Sequence, residues 1–167
     1  MNEEHRRDQR IQTGFAVLTI SDSRTIDTDR SGRLARDLIE ADEHKVLAYE
    51  IIPNDADKIL ASVKRYVREP QIRVILTTGG TGVGRRDLTP QTLEALFSRS
   101  LPGFGELFRR LSYEEIGLAG IYSRATAGII DDTVVYCLPG STGAVELALR
   151  RIILPGLGHL LWEVDRR

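Results

Sequence analysis

The chain has 167 residues, a formal net charge of −1, 41% hydrophobic residues and 28% charged residues. That length and balance fit one folded domain with a sizeable core, and a charge near zero gives no global pull on nucleic acid, so any anion site must be local. No run is apolar enough to span a membrane, and the charged N-terminus is unlike a signal sequence, so a cytoplasmic location is expected.

Residues 1–10 are polar and lack an apolar period; a flexible arm is expected there, ahead of a single domain over 11–167. Gly14 to Ile20 reads as a first strand, followed by a polar loop from Ser21 to Ser31. Leu34, Leu38 and Ile39 have helical spacing within Gly32 to Ala41. A second strand spans Lys45 to Ile52 and stops at Pro53. Ile59, Leu60, Val63 and Val67 then share one side of a helix predicted over Asp55 to Arg68. Ile72 to Thr77 is an apolar, β-branched third strand.

In the second half a helix is predicted from Pro90 to about Phe97, with Thr89 as its N-cap. Pro102-Gly103 breaks the chain before a helix carrying Phe104, Leu107, Phe108 and Leu111. Ile129-Ile130, the turn Asp131-Asp132 and Thr133 to Leu138 read as a hairpin. Pro139 to Gly143 is a further strand–loop–helix junction, leading into Ala144 to Ile153 and a last helix from Pro155 to Val164. Trp162 on that helix is expected in the core or a subunit contact. Cys137 has no partner for an internal disulfide and reads as a buried thiol. Alternating strands and helices of this size predict an α/β fold, a three-layer αβα sandwich on a mostly parallel sheet.

The richest segment follows the third strand: Thr78-Gly79-Gly80-Thr81-Gly82-Val83-Gly84-Arg85-Arg86-Asp87-Leu88-Thr89-Pro90. A strand delivers a glycine loop to a helix start, where backbone N–H groups can approach an anion closely. The arginines add positive charge and Asp87 a carboxylate suited to Mg²⁺ or a hydroxyl. The loop lacks the Lys-Ser/Thr ending of a P-loop and does not match G-x-G-x-x-G. In an open parallel sheet, ligands bind at the carboxyl ends of strands. Three loops leave such ends: Ser21 to Ser31, Thr78 to Asp87, and Pro139 to Gly143. The three histidines are scattered, no His/Cys/Asp cluster has metal-ligand spacing, and no Ser-His-Asp signature is present.

Thr-Gly-Gly-Thr-Gly followed by Arg-Arg-Asp-x-Thr-Pro resembles the MoaB/MogA family of molybdenum cofactor biosynthesis proteins. Leu138-Pro139-Gly140-Ser141, Ser123-Arg124-Ala125 and Gly103-Phe104-Gly105-Glu106 resemble further family segments, so the likeness runs from Phe15 to about Trp162. The resemblance implies adenylylation of molybdopterin by ATP with Mg²⁺, in a homo-oligomer, a trimer or a hexamer. Carried over residue by residue, it implies Asp87 at the metal and catalytic centre, and a phosphate cradle of Gly79, Gly80, Thr81 and Gly82 with Arg86. Pro139, Gly140 and Ser141 would shape the nucleotide pocket, and Glu106, Ser123 and Arg124 would face pterin or phosphate. For Arg124 a structural salt bridge is the alternative, and for Glu106 a helix N-terminal carboxylate. Ser21, Asp22 and Thr28 are further candidates for polar contacts.

One position departs from the family pattern. Where active members carry Asp directly after the Pro that ends the second strand, this chain has Asn54, with Asp55 next. Asp55 could supply the second metal-ligating, catalytic carboxylate. Alternatively, Asn54 offers a neutral oxygen and Asp55 only caps the following helix. A non-catalytic molybdopterin-binding relative is therefore the second reading.

Overall fold

The computed structural model describes residues 11–166; the N-terminal arm expected over 1–10 lies outside them. Six strands form one sheet: β1 (Gly14–Ile20), β2 (Lys45–Ile52), β3 (Ile72–Thr78), β4 (Arg99–Ser100), β5 (Thr126–Ile130) and β6 (Thr133–Leu138). Their order is β2-β1-β3-β6-β5-β4, parallel across the first four, with β5 and β4 added antiparallel. The helices are α1 (Arg30–Ala41), α2 (Ala56–Val67), α3 (Thr89–Glu94), α4 (Pro102–Ile116), α5 (Thr142–Ala148) and α6 (Leu154–Asp165).

Strands buried on both faces must be apolar at consecutive positions. In β1, Phe15 and Val17 join α1, α4, α5 and α6 in one core, while Ala16, Leu18 and Ile20 join α2 and α3 in the other. This is the expected αβα sandwich. Asp29 caps α1 by accepting from the Gly32 N–H, and Asp55 caps α2 by accepting from the Lys58 N–H. Cys137 is fully buried in the second core, and burial pushes its thiol up to about 12.

Several boundaries differ from the sequence-based expectation. Thr89 is not an N-cap: Leu88 holds that position, and the buried Thr89 hydroxyl donates to the Gly79 carbonyl instead. A tertiary acceptor has won over the local one. The helix is also shorter, ending at Glu94. The hairpin begins earlier, at Thr126, because Ala127 and Gly128 pair with Tyr136 and Val135. Helices α5 and α6 run together through a π-helical turn over Leu149–Ile153. Trp162 is half-buried beside His159, with Arg166 over its ring, and lies outside both cores.

Candidate functional site

The chain reverses direction across the sheet between β1 and β3. From β1 it proceeds outward to β2, and from β3 to β6 on the other side. Such a switch point leaves a crevice at the carboxyl ends of the strands. The loops over 21–29, 53–55, 79–88 and 139–141 all leave β-strand carboxyl ends at this edge.

Two glycines make the close approach possible. Gly79 has φ +107°, and a Cβ there would sit 2.4 Å from the Ile20 carbonyl oxygen. Gly80 has φ +72°, with the Thr89 hydroxyl 2.3 Å from a built Cβ. Gly79→Ala is expected to lower stability by about 3 kcal/mol or more, since left-handed strain and a backbone clash add; denaturant titration measures it. Gly79 itself is not part of a phosphate cradle, contrary to expectation. Its N–H donates to Leu138 O and its carbonyl accepts from Thr89. The N–H groups of Gly80, Thr81 and Gly82 have no acceptor among the described residues. They are the backbone donors left for an anion.

The rest of the loop closes around Asp87. Its Oδ2 accepts from the Gly84 N–H at 2.9 Å, and Cβ atoms at Gly82 or Gly84 would fall 2.7 Å and 2.8 Å from that oxygen. The glycines are there to admit a carboxylate.

Arg124 bonds the glycine loop from the far side of the sheet edge. Its Nε donates to Gly82 O at 2.7 Å, Nη2 to Asp87 O at 2.6 Å and Nη1 to the Gln91 side chain at 2.8 Å. Its backbone N–H also donates to Thr81 O. Three of its side-chain N–H groups thus hold the loop and α3, with no carboxylate partner among the described residues. Arg124→Ala is expected to lower stability by about 2–3 kcal/mol, because charge-assisted bonds to partly buried carbonyls are lost; thermal unfolding monitored by calorimetry measures it.

On the β2 side, Asp22 Oδ1 accepts from the Asn54 N–H, and its Oδ2 pairs with Arg86 at 2.6 Å. The Asn54 Nδ2 donates to the Arg86 carbonyl, and its Oδ1 is buried with no hydrogen-bond partner. Asn54, not Asp55, therefore meets the glycine loop. The Asp55 carboxylate is exposed and occupied in capping α2. Ser21 Oγ accepts from the Ser23 and Arg24 N–H groups, and Thr28 Oγ1 from the Thr25 N–H; both organise their own loop. Ser141 caps α5 by accepting from the Ala144 N–H.

Two clefts are present here. One, of about 740 Å³, is lined by Ser21, Asp22, Arg24, Ile26, Ile51 and Pro53 among others. The other, of about 640 Å³, lies between Val83, Glu106, Arg109, Tyr122, Ser123 and Arg124. Glu106 is past the first turn of α4, so it is not a dipole-paired terminal carboxylate. Sequence reasoning missed Arg109, whose Nη1 donates to Ala125 O at 2.9 Å at the wall of this second cleft. Its helical spacing from Gly105, where an added Cβ would meet the guanidinium, was the available signal.

A mostly parallel α/β domain with a glycine loop and an oxygen-rich carboxyl edge is the class these features define. A sequence profile described as "Probable molybdopterin binding domain" matches residues 16–159, and the chain belongs to that family of molybdenum cofactor biosynthesis proteins. It is 44% identical to molybdenum cofactor biosynthesis protein B of Bacillus subtilis (strain 168), over 98% of this chain and 97% of that one. A crystal structure of a molybdenum cofactor biosynthesis protein B superposes with a TM-score of 0.91 at 43% identity, covering 94% of this chain and 98% of the other. The tungsten cofactor synthesizing protein MoaB from Pyrococcus furiosus gives 0.85 at 36% identity, covering 95% and 100%.

Proposed function

We propose that this chain adenylylates molybdopterin with ATP in the presence of Mg²⁺. The terminal phosphate oxygen of molybdopterin forms a bond to the α-phosphorus of ATP, the bond from that phosphorus to the bridging oxygen breaks, and pyrophosphate leaves. The observation that carries the reading is the row of N–H groups at Gly80, Thr81 and Gly82, without an acceptor among the described residues and in the same loop as the Asp87 carboxylate. A transfer between two bound phosphates needs two pockets and a charged seam where they meet.

The residues present fit Mg²⁺. Asp87 offers a carboxylate, and Asn54 offers a buried oxygen with no other partner. Among the described residues no group of three or more His, Cys, Asp or Glu could hold a metal. A hard cation with one or two protein oxygens, completed by water and phosphate, suits such a sparse set. When bound, it would offset charge on the phosphate oxygens. The chain's own contributions are positional: N–H donors from Gly80 to Gly82, Arg86 held at the rim by Asp22, and Glu106 with Arg109 in the second cleft.

Incubation with molybdopterin, ATP and Mg²⁺, with detection of adenylylated product, tests the reading. Binding of molybdopterin without turnover would instead support a non-catalytic relative, the reading that Asn54 favours. We also propose a homo-oligomer, a trimer or hexamer. Tyr113, Ile116, Leu118 and Tyr122 are exposed in succession along the end of α4 and the following 3₁₀ turn, a patch that suits a second copy. Light scattering is expected to give three or six times 18.7 kDa; a single-chain mass would exclude it. Among the described residues no helix is long and apolar enough to cross a membrane.

A further inference from the structure

Arg24 joins two loops that lie 116 residues apart. Its Nη2 donates to Gly140 O at 2.8 Å, and its Nη1 donates to the Ser31 hydroxyl at 2.6 Å. The same Nη1 lies 3.6 Å from the Asp29 carboxylate, whose side chain is fully buried. Asp29 is itself held rigid. It accepts from the Thr19 hydroxyl at 2.6 Å, from the Tyr49 hydroxyl at 2.5 Å and from the Gly32 N–H at 3.0 Å. Burial opposes the charge on Asp29, but these donors outweigh it and hold the carboxyl below its ordinary value. The carboxylate is therefore satisfied without Arg24, and burying Asp29 does not explain the arginine.

What Arg24 does explain is the spacing of the loops. The Gly140 carbonyl it holds belongs to a residue packed on the glycine loop: a Cβ built on Gly140 falls 3.4 Å from Gly79 Cα and 3.7 Å from both Arg24 Nη atoms. The backbone at 79, the backbone at 140 and the guanidinium thus meet at one point on the sheet edge. Side-chain exposure of Arg24 is 35%, on the wall of the cleft it shares with Ile26 and Pro53. A planar fork whose two ends bond the start of α1 and the 139–141 loop fixes their separation in a way a single ammonium cannot.

We propose that Arg24 is a positioning residue, anchored by Asp29, that sets the distance between the 139–141 loop and the 21–29 loop and thereby the affinity of the ATP half of the site. The proposal rests on the adenylylation reading for its ligand, but not for its geometry. On the adenylylation reading, in which Pro139, Gly140 and Ser141 shape the nucleotide pocket, the tie acts on the nucleotide. Glu106 and Arg109 line the opposite cleft, and molybdopterin contacts there are left alone.

The test uses the full chain with Arg24→Lys and Arg24→Ala. Hydrogen exchange of the ligand-free protein is expected to quicken at amides 140–143 by about tenfold in Arg24→Ala, the loss of one charge-assisted bond. In Arg24→Lys, KM for ATP is expected to rise about tenfold and KM for molybdopterin less than about twofold. Unchanged exchange at 140–143 in Arg24→Ala overturns the tie. So does an equal rise in both KM values together with a fall in melting temperature, which marks a general structural role. Quickened exchange in Arg24→Ala, with no binding of ATP or pyrophosphate by the unsubstituted chain in calorimetry, upholds the tie and rejects the adenylylation reading.

Discussion

Asp87→Asn is expected to lower adenylyl transfer by on the order of 10²–10³-fold, the usual effect of removing one preorganised electrostatic group from a phosphoryl-type centre. The substitution is isosteric. An amide oxygen can still accept from the Gly84 N–H, and the backbone carbonyl held by Arg124 is untouched. Stability should therefore change by no more than about 1 kcal/mol, and molybdopterin affinity should fall modestly. The loss belongs to the charge alone. Rates across a Mg²⁺ titration, with unfolding midpoints measured alongside, separate the two. Native-rate transfer by the variant would remove Asp87 from the centre and leave the loop as a binding element only.

The legible parts of this protein are those where chemistry is local. Strands β1 and β3 are buried on both faces, so their sequences are continuous apolar runs, and the alternation of cores along β1 follows from the pleat. Asp55 before Ala56 is a helix start that depends on its neighbours only. The glycine loop was legible because Gly79 and Gly80 need positive φ, a requirement written into residue type.

What escaped is long-range. Strand β4 is two exposed residues, Arg99 and Ser100, with no apolar period to announce them; it exists because β5 offers a free edge. The Thr89 hydroxyl had a local use as a cap, but the Gly79 carbonyl ten residues back is a better buried acceptor. Arg124 looked like a free cation for an anion, and its three side-chain acceptors lie 33 to 42 residues away. Arg24 was hidden in the same way, its Gly140 partner being visible only once the sheet order is known. Polar residues at a loop-built edge carry no periodicity, so sequence identifies them as candidates and folding assigns their roles.

Asn54 and Asp55 are the pair for which folding changes the expected result. On sequence alone, Asp55 was the candidate second carboxylate, and its removal should have slowed transfer. With its oxygen on the Lys58 N–H, Asp55→Ala is now expected to lower stability by about 1 kcal/mol, the worth of an N-cap, and to leave transfer unchanged. Asn54→Asp is expected to do more. It deletes the amide that donates to the Arg86 carbonyl and adds a negative charge at a residue whose N–H is held by the Asp22 carboxylate. Without a divalent cation, that charge faces acceptors only, so the melting temperature should drop. With Mg²⁺, two carboxylates and a cation compensate one another, and transfer should be retained or raised. The decisive measurement is the Mg²⁺-induced rise in melting temperature, which by linkage reports differential binding to the folded state. It should be larger for Asn54→Asp than for the unsubstituted chain. An equal rise in both would place residue 54 outside the metal site. A transfer rate lowered in Asp55→Ala at a temperature where that variant is fully folded would return the second carboxylate to Asp55.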